Sequence, residues 1–207
     1  MKREEKAQLT RRKIMDKALK EFSAHGYSAG SVNNIYDPEQ GISKGIIYHY
    51  FSSKDELFLA CVGECFERLK SYIEKQFVQS SGTMTAEECF NRYFAVRMNF
   101  FKENPQYRKI FMEAVLMPPE HLKSGIMQCR QPMEKMNMEV LEKLLSRIHL
   151  RVSLDKTEVA RIILQFINFI VPQYPLKEND VAAIEAFENK NRQILDILLN
   201  GIVERKG

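Results

Sequence analysis

Between Ser43 and Lys54 the chain reads Ser-Lys-Gly-Ile-Ile-Tyr-His-Tyr-Phe-Ser-Ser-Lys, which gathers hydroxyls, an imidazole, two phenols and two ammonium groups. Groups of these kinds hydrogen-bond phosphate oxygens and the edges of bases. An aromatic cluster such as Tyr48-His49-Tyr50-Phe51 is ordinarily core. Four consecutive large side chains on a helix of about 3.6 residues per turn cannot all face inward, so at least one or two must be exposed. Upstream, Met1 to Lys20 holds eight basic and three acidic residues, a net of +5 against +4 for all 207 residues. That concentration suits a phosphate-facing surface, with a solvated helix face as the plain alternative.

Enzymatic chemistry has less to work with. His25, His49, His121 and His149 stand isolated, and neither Glu-x-x-His, His-Glu-x-x-His nor a phosphate-binding glycine loop occurs. Cys61 and Cys65 share a helix face at i, i+4, but no His or third Cys lies near them in sequence. With Cys89 and Cys129 they read as reduced core residues, and no metal or cofactor is expected. The charged N-terminus lacks the apolar run of a secretory signal, and the longest apolar stretch, Ile162 to Val171, is broken by Gln165 and Asn168. A cytoplasmic, non-catalytic protein is the expectation.

The elements that would position these groups are helices throughout, since strand-like alternation is absent. An amphipathic basic helix spans about Glu4 to Ala24 and is expected to end at Gly26 in a left-handed cap. Ser31 caps a short helix carrying Val32 and Ile35, which Pro38 cannot continue. A second short helix follows over 43–51. Ser53-Lys54-Asp55-Glu56 then fits a capping box in front of a long helix reaching about Gln79. Further helices are expected over 85–103, 106–117, 124–150, 154–171 and 177–203, separated by Asn104-Pro105, Pro118-Pro119 and Pro172-Gln173-Tyr174-Pro175. The fold class is therefore all-α, with a three-helix head over 1–53 and a larger helical body over 54–207.

Two short helices joined by a turn, behind a basic helix and ahead of a capped long one, outline a helix-turn-helix. The run Gly26-Tyr27, Ser31-Val32, Ile35, Gly41 to Phe51 and Ser53 to Phe58 resembles the DNA-binding domain of the TetR family of transcriptional regulators. The resemblance covers roughly the first quarter of the chain and departs from the family twice. Asp37-Pro38-Glu39-Gln40 lengthens the turn by one residue, for which a one-turn bulge starting at Pro38 is expected. Ile46 stands where the family commonly has a small hydroxyl residue.

The resemblance implies that Lys44, Ile46, His49 and Tyr50 face base edges or the groove wall, where Ile46 would meet a thymine methyl. It also implies that Ser31, Tyr48 and Lys54 bond phosphates, with Ser43 and Gly45 at the start of the recognition helix, and that Ile47 and Phe51 face inward as core. Ser31 and Ser53 are equally well explained as helix caps. The partners it implies are a pseudo-palindromic double-stranded operator, a small-molecule effector and a second copy of the chain, in a repressor released by ligand.

Eight of the ten methionines lie between Met84 and Met138, among many aromatics. That composition suits an adaptable apolar cavity as well as it suits plain core. Arg97, Met98, Phe101, Met112 and Met136 are the candidate ligand-binding residues, with Glu113 and Arg130 as further possible polar anchors. The last two helices are apolar on more than one face, and Ile163, Phe166, Ile170, Ile194 and Leu198 are the candidate dimer residues. The rival readings are a helical ligand-binding or scaffold protein with an inactive head, and an all-α enzyme.

Overall fold

The structure, a computed structural model, describes residues 3–77, 84–150 and 155–170 with scattered positions between 186 and 201. Eight helices are assigned: α1 (Arg3–Ala29), α2 (Val32–Ile35), α3 (Lys44–Tyr50), α4 (Lys54–Phe77), α5 (Ala86–Glu103), α6 (Pro105–Leu116), α7 (Lys123–Leu145) and α8 (Lys156–Ile170). The described positions between 186 and 201 are helical as well. The chain groups into two compact units, residues 1–68 with 103–131 and residues 69–102 with 132–207.

In the first unit α1 lays Ile14, Met15, Ala18, Leu19 and Phe22 into the core. Phe22 meets Phe58 of α4 edge-on, with ring centroids 5.2 Å apart. Each of these buried side chains larger than alanine contributes about 1.5–3 kcal/mol. The expected end of α1 is corrected here. Gly26 has φ 73° and ψ 177°, outside the left-handed helical cap, and one further turn to Ala29 follows the kink. That backbone region is open essentially to glycine alone. The peptide N–H of Tyr27, orphaned by the kink, donates to both carboxylate oxygens of Glu113 on α6 at 3.0 Å.

A second ionic knot lies deeper. Glu64 of α4 accepts from Arg12 at 2.7 Å, from Tyr107 at 2.6 Å and from Arg68 at 2.8 Å. Burial alone would raise its carboxyl, but these donors outweigh it and hold the group below the usual carboxylate range.

The second unit draws on residues 69–77 of α4, on α5, on α7 from Pro132 onward and on α8. Its core is aromatic, with Tyr72 against Phe100, Phe77 against Tyr93 and Phe100 against Phe101 at centroid distances of 5.6, 5.3 and 5.1 Å. α5 opens on a reciprocal box, Thr85 Oγ1 accepting from the Glu88 N–H while the Glu88 carboxylate accepts from the Thr85 N–H. α7 stops at Leu145, five residues before the expected end. Its last turn tightens into bonds from Arg147 N–H to Leu144 and from Ile148 N–H to Leu145, while the Arg147 guanidinium reaches Cys89 Sγ and the Met84 carbonyl near the start of α5.

Among the described residues no helix is long and apolar enough to cross a membrane. Cys61, Cys65 and Cys89 are buried and Cys129 half-buried, all as free thiols. Burial pushes the Cys61 and Cys65 thiols up, away from the reactive thiolate.

A Cβ on Gly26 would stand 2.5 Å from Glu113 Oε1 and force an L-residue to a positive φ. Gly26→Ala is therefore expected to destabilise the protein by about 2–4 kcal/mol. Urea unfolding followed by circular dichroism measures it, and a loss below 1 kcal/mol on that scale would mean that the kink is not under this constraint.

Candidate nucleic-acid interface

The recognition segment is built from its turn outward. α2 is closed off by Tyr36 and Asp37, after which Pro38–Gln40 forms a single 3-10 turn and Gly41 takes the left-handed conformation at φ 73°, ψ 20°. Asp37 and Ile42 exchange both backbone hydrogen bonds, at 2.9 and 2.8 Å. The extra residue is thus looped out above a closed pair, and Ile42, like Ile35, is fully buried. Asp37 also accepts from the Gln40 N–H and pairs with Lys17 of α1 at 2.6 Å. Those contacts, the Lys17 hydrogen bond foremost, hold its carboxyl below the usual range.

Ser43 caps α3, its Oγ accepting from the Ile46 N–H at 3.2 Å. Ile47 and Phe51 are buried, as the resemblance implies, and the Arg11 guanidinium lies over the Phe51 ring at 5.2 Å. The opposite face of α3 is open. Lys44, Gly45, Tyr48 and His49 are exposed, Tyr48 by 52 %, while Ile46 and Tyr50 are half-buried. His49 and Tyr50 meet edge-on at 5.2 Å. Of the four consecutive aromatic-type residues, then, two face solvent and only Phe51 is wholly inside.

Ser31 caps α2 by accepting from the Asn33 N–H at 3.2 Å. Glu21, a nearly buried acid on α1, accepts from the Ser31 N–H at 2.9 Å and from the Asn34 amide at 2.8 Å, which fixes the start of α2. Lys54 is half-buried. Its ammonium donates to the Ser28 carbonyl at 3.3 Å and sits 4.6 Å from the Tyr27 ring centroid, so part of its donor capacity is spent within the head. The capping box at Ser53 is present, but its return arm differs. Glu56 N–H donates to Ser53 Oγ, while the Glu56 carboxylate accepts from the N–H and hydroxyl of Ser52 at 2.6 Å each. The Tyr27 hydroxyl donates to Asp55 at 2.6 Å and lies 3.0 Å from His121 Nε2; burial first, then the Asp55 bond, pushes the phenol up to about 12.

Gly41-Ile42-Ser43-Lys44-Gly45 also has the spacing of a nucleophile elbow, Gly-x-Ser-x-Gly. That motif needs a strand before the serine and a base beside it. Here an isolated bridge residue precedes Ser43, and its hydroxyl is engaged as a helix cap.

The candidate ligand residues fall into both units. Arg97, Met98, Phe101 and Met136 belong to the second and are buried; Met112, half-buried on α6, belongs to the first. Glu113 is committed to the Tyr27 N–H, and Arg130 donates to the Ala114 carbonyl at 3.3 Å. Arg97 is fully buried. Its Nη1 donates to Asn137 Oδ1 at 3.2 Å and its Nη2 to Asn168 Oδ1 at 2.9 Å, with no carboxylate among the described residues that pair with it. Burial pulls its guanidinium below the ordinary value, Tyr93 acting in the opposite sense. Hydrogen bonds to a charged group return about 1.5–3 kcal/mol each, whereas burying an ion costs several.

Of the candidate dimer residues, Ile163 and Ile170 are buried within the chain, Phe166 and Ile194 are half-buried, and Leu198 lies outside the described residues. The exposed apolar residues of α8 are Ile162, at 48 %, and Phe169, at 61 %. With Phe166 they form an i, i+4, i+7 stripe.

The head aligns with known proteins. The family described as "Bacterial regulatory proteins, tetR family" matches residues 14–61. The HTH-type transcriptional repressor AcnR of Corynebacterium diphtheriae is 29 % identical over 109 residues, covering 51 % of this chain and 57 % of that protein. The HTH-type transcriptional repressor Rv1474c of Mycobacterium tuberculosis is 35 % identical over 66 residues, covering 32 % of this chain and 35 % of that one. The chain thus spans about half or less of the length of these curated relatives. A wider likeness is one of fold. The transcriptional regulator FadR from Bacillus subtilis, solved with stearoyl-CoA, superposes with a TM-score of 0.64 at 18 % identity over 88 % of this chain and 96 % of that one. Residues 14–61 thus match the helix-turn-helix of the tetR family of bacterial regulatory proteins, and the all-helical fold around them is shared with FadR.

Proposed function

We infer that the chain is a cytoplasmic, non-catalytic transcription regulator that binds a pseudo-palindromic operator as a two-fold dimer, a repressor released by a small, largely apolar effector. The carrying observation is α3: one face buried through Ile47, the other exposing Lys44, Tyr48 and His49 beside a capped N-terminus. A short helix so anchored fits the major groove, and its open N-terminal amides favour a phosphate. The names of AcnR and Rv1474c as repressors support the sign of regulation. The head is assigned to residues 1–53 and the effector and dimer functions to 54–207. One helix reads too few base pairs for useful specificity, which is the argument for two copies.

Selection of bound sequences from a random DNA pool tests the class and yields the operator. On that operator Tyr48→Phe and Lys54→Ala are expected to weaken binding for all sequences, with Lys54→Ala reducing the salt slope by about 1. Lys44→Ala and His49→Ala are expected to relax base preference at particular positions. Recovery of no enriched sequence, with wild-type salt dependence in Lys54→Ala, would refute the reading.

The stripe Ile162, Phe166 and Phe169 supports an interface on α8. Ile162→Glu is expected to yield monomers at micromolar concentration by light scattering and to weaken operator binding together with dimerisation. A monodisperse wild-type monomer would remove the dimer from the proposal.

Control of DNA binding would run through α4, which continues without a break from Lys54 to Phe77 and follows α3 after only Phe51, Ser52 and Ser53. Linkage then requires the operator to change effector affinity by the factor with which effector changes operator affinity, typically about 1–3 kcal/mol. Ligand titrations with and without operator read this, and equal affinities would leave a DNA-binding protein without effector control.

A further inference from the structure

Arg97 has no charge partner that the fold supplies from its described residues, and its surroundings are organised as a site. Tyr93, Arg97 and Phe101 follow one another at i, i+4, i+8 on α5 and are all buried. On α7 the same spacing gives Met133, Asn137 and Leu141, again all buried; on α8 it gives Leu164 and Asn168. α5 thus brings Arg97 and the Tyr93 hydroxyl, α7 brings Asn137 and α8 brings Asn168 to one network. The polar groups meet there: Asn137 Oδ1 accepts from both Arg97 Nη1 and the Tyr93 hydroxyl, and Asn168 Oδ1 accepts from Arg97 Nη2.

Two neutral amide oxygens orient the guanidinium without neutralising it. Among the described residues Arg97 Nε is buried with no acceptor, and Nη1 and Nη2 each give one hydrogen bond to an amide oxygen, which leaves donors of the five on a guanidinium for a further acceptor. The edge that carries Nε and a neighbouring Nη is the edge that binds a carboxylate or a similar oxyanion through two parallel bonds. Asn137 and Asn168 act as positioning residues that hold the fork in place.

We propose that Arg97 is the anchor for an amphipathic organic anion, whose acidic head takes the free N–H edge of the guanidinium while its apolar body packs among the methionine and aromatic side chains of the second unit. This rests on the effector reading above and names the class of effector: an organic acid with a hydrophobic body, in place of a neutral apolar molecule. Nothing in the site requires a metal or a covalent step.

Two naphthalene dyes that share an apolar body test it. 8-Anilinonaphthalene-1-sulfonate carries an anionic head, and N-phenyl-1-naphthylamine does not. Fluorescence titrations of the full chain, with no DNA present, are expected to give saturable binding of the sulfonate at one site per chain. Arg97→Met should lower sulfonate affinity at least about thirtyfold and leave the neutral dye within about twofold. Arg97→Lys keeps the charge but loses the fork, and an intermediate loss is expected.

Thermal melts without ligand add a readout that a structural role would move oppositely. Arg97→Met should melt at or above wild type, because an apolar residue replaces an unneutralised buried charge. Wild-type sulfonate affinity in Arg97→Met, or in Arg97→Lys if the methionine variant does not fold, would overturn the proposal. So would failure of the wild-type protein to bind the sulfonate, or equal loss of both dyes. Because DNA is absent from every titration, these outcomes stand apart from the random-pool selection, which alone decides whether the head reads an operator.

Discussion

Both carboxylate oxygens of Glu113 hold the peptide N–H of Tyr27 at 3.0 Å, and the rest of the head is arranged around that contact. The kink at Gly26 ends the regular part of α1 and leaves a donor that must be satisfied if it is to be buried. Meeting that demand from α6 pins the end of α1 to a helix some 86 residues away in sequence. The ring that follows is then fixed at several points. Its face lies against Phe58 at 5.0 Å and under the Lys54 ammonium at 4.6 Å, and its hydroxyl reaches Asp55. The end of α1 and the start of α4 are thereby tied together, and α2 and α3 are the segment of chain that spans between them. Their placement follows from where those two ends are held.

The same economy explains how a chain of net charge +4 can present a basic head. Four of its acids are engaged by internal hydrogen bonds or ion pairs. Glu21 holds the start of α2, Asp37 closes the turn and pairs with Lys17, Glu56 caps Ser52, and Glu64 gathers Arg12, Arg68 and Tyr107. For Asp37, Glu56 and Glu64 the hydrogen-bond donors they meet favour the ionised form, and the carboxyl lies below its ordinary range. Lys44 and His49 on α3 remain exposed. Attraction to a polyanion depends on that distribution far more than on the sum.

Local signals were legible in the sequence and long-range ones were not. The helical period and the breakers located α1 to α8 within a few residues, because periodicity and proline act over one or two turns. The inward positions of Ile47 and Phe51 and the looped-out turn at Pro38 followed from the resemblance of this segment to the family's helix-turn-helix. Gly26 was recognisable as a break, but its ψ of 177° is set by Glu113, which no local pattern connects to it. Glu113 itself looked like a free polar anchor. The shortening of α7 depends on Arg147 reaching Met84 and Cys89, and the exposed stripe on α8 is Ile162, Phe166 and Phe169, because Ile163 and Ile170 are taken by the chain's own core. A helix apolar on several faces does not announce which face its own fold will use.

Arg97 shows why a polar residue inside an apolar pattern deserves separate treatment. A carboxylate at position 137 or 168 would have neutralised the guanidinium and closed the site with an internal ion pair. Asparagine has nearly the same shape as aspartate and accepts the same hydrogen bond, yet it contributes no charge. Among the described residues, two therefore aim the cation and none balances it, so the desolvation cost is carried in the unliganded state. Natural sequences depart from local stability rules chiefly at functional sites. An anion arriving at Arg97 would recover that cost on binding, so the stabilisation it brings would be concentrated where α5, α7 and α8 meet. Such a ligand would tighten three helices through one group, which is the physical requirement for an effector: it must interact differently with two states of the protein, and only a state with those helices drawn together offers it the complete site.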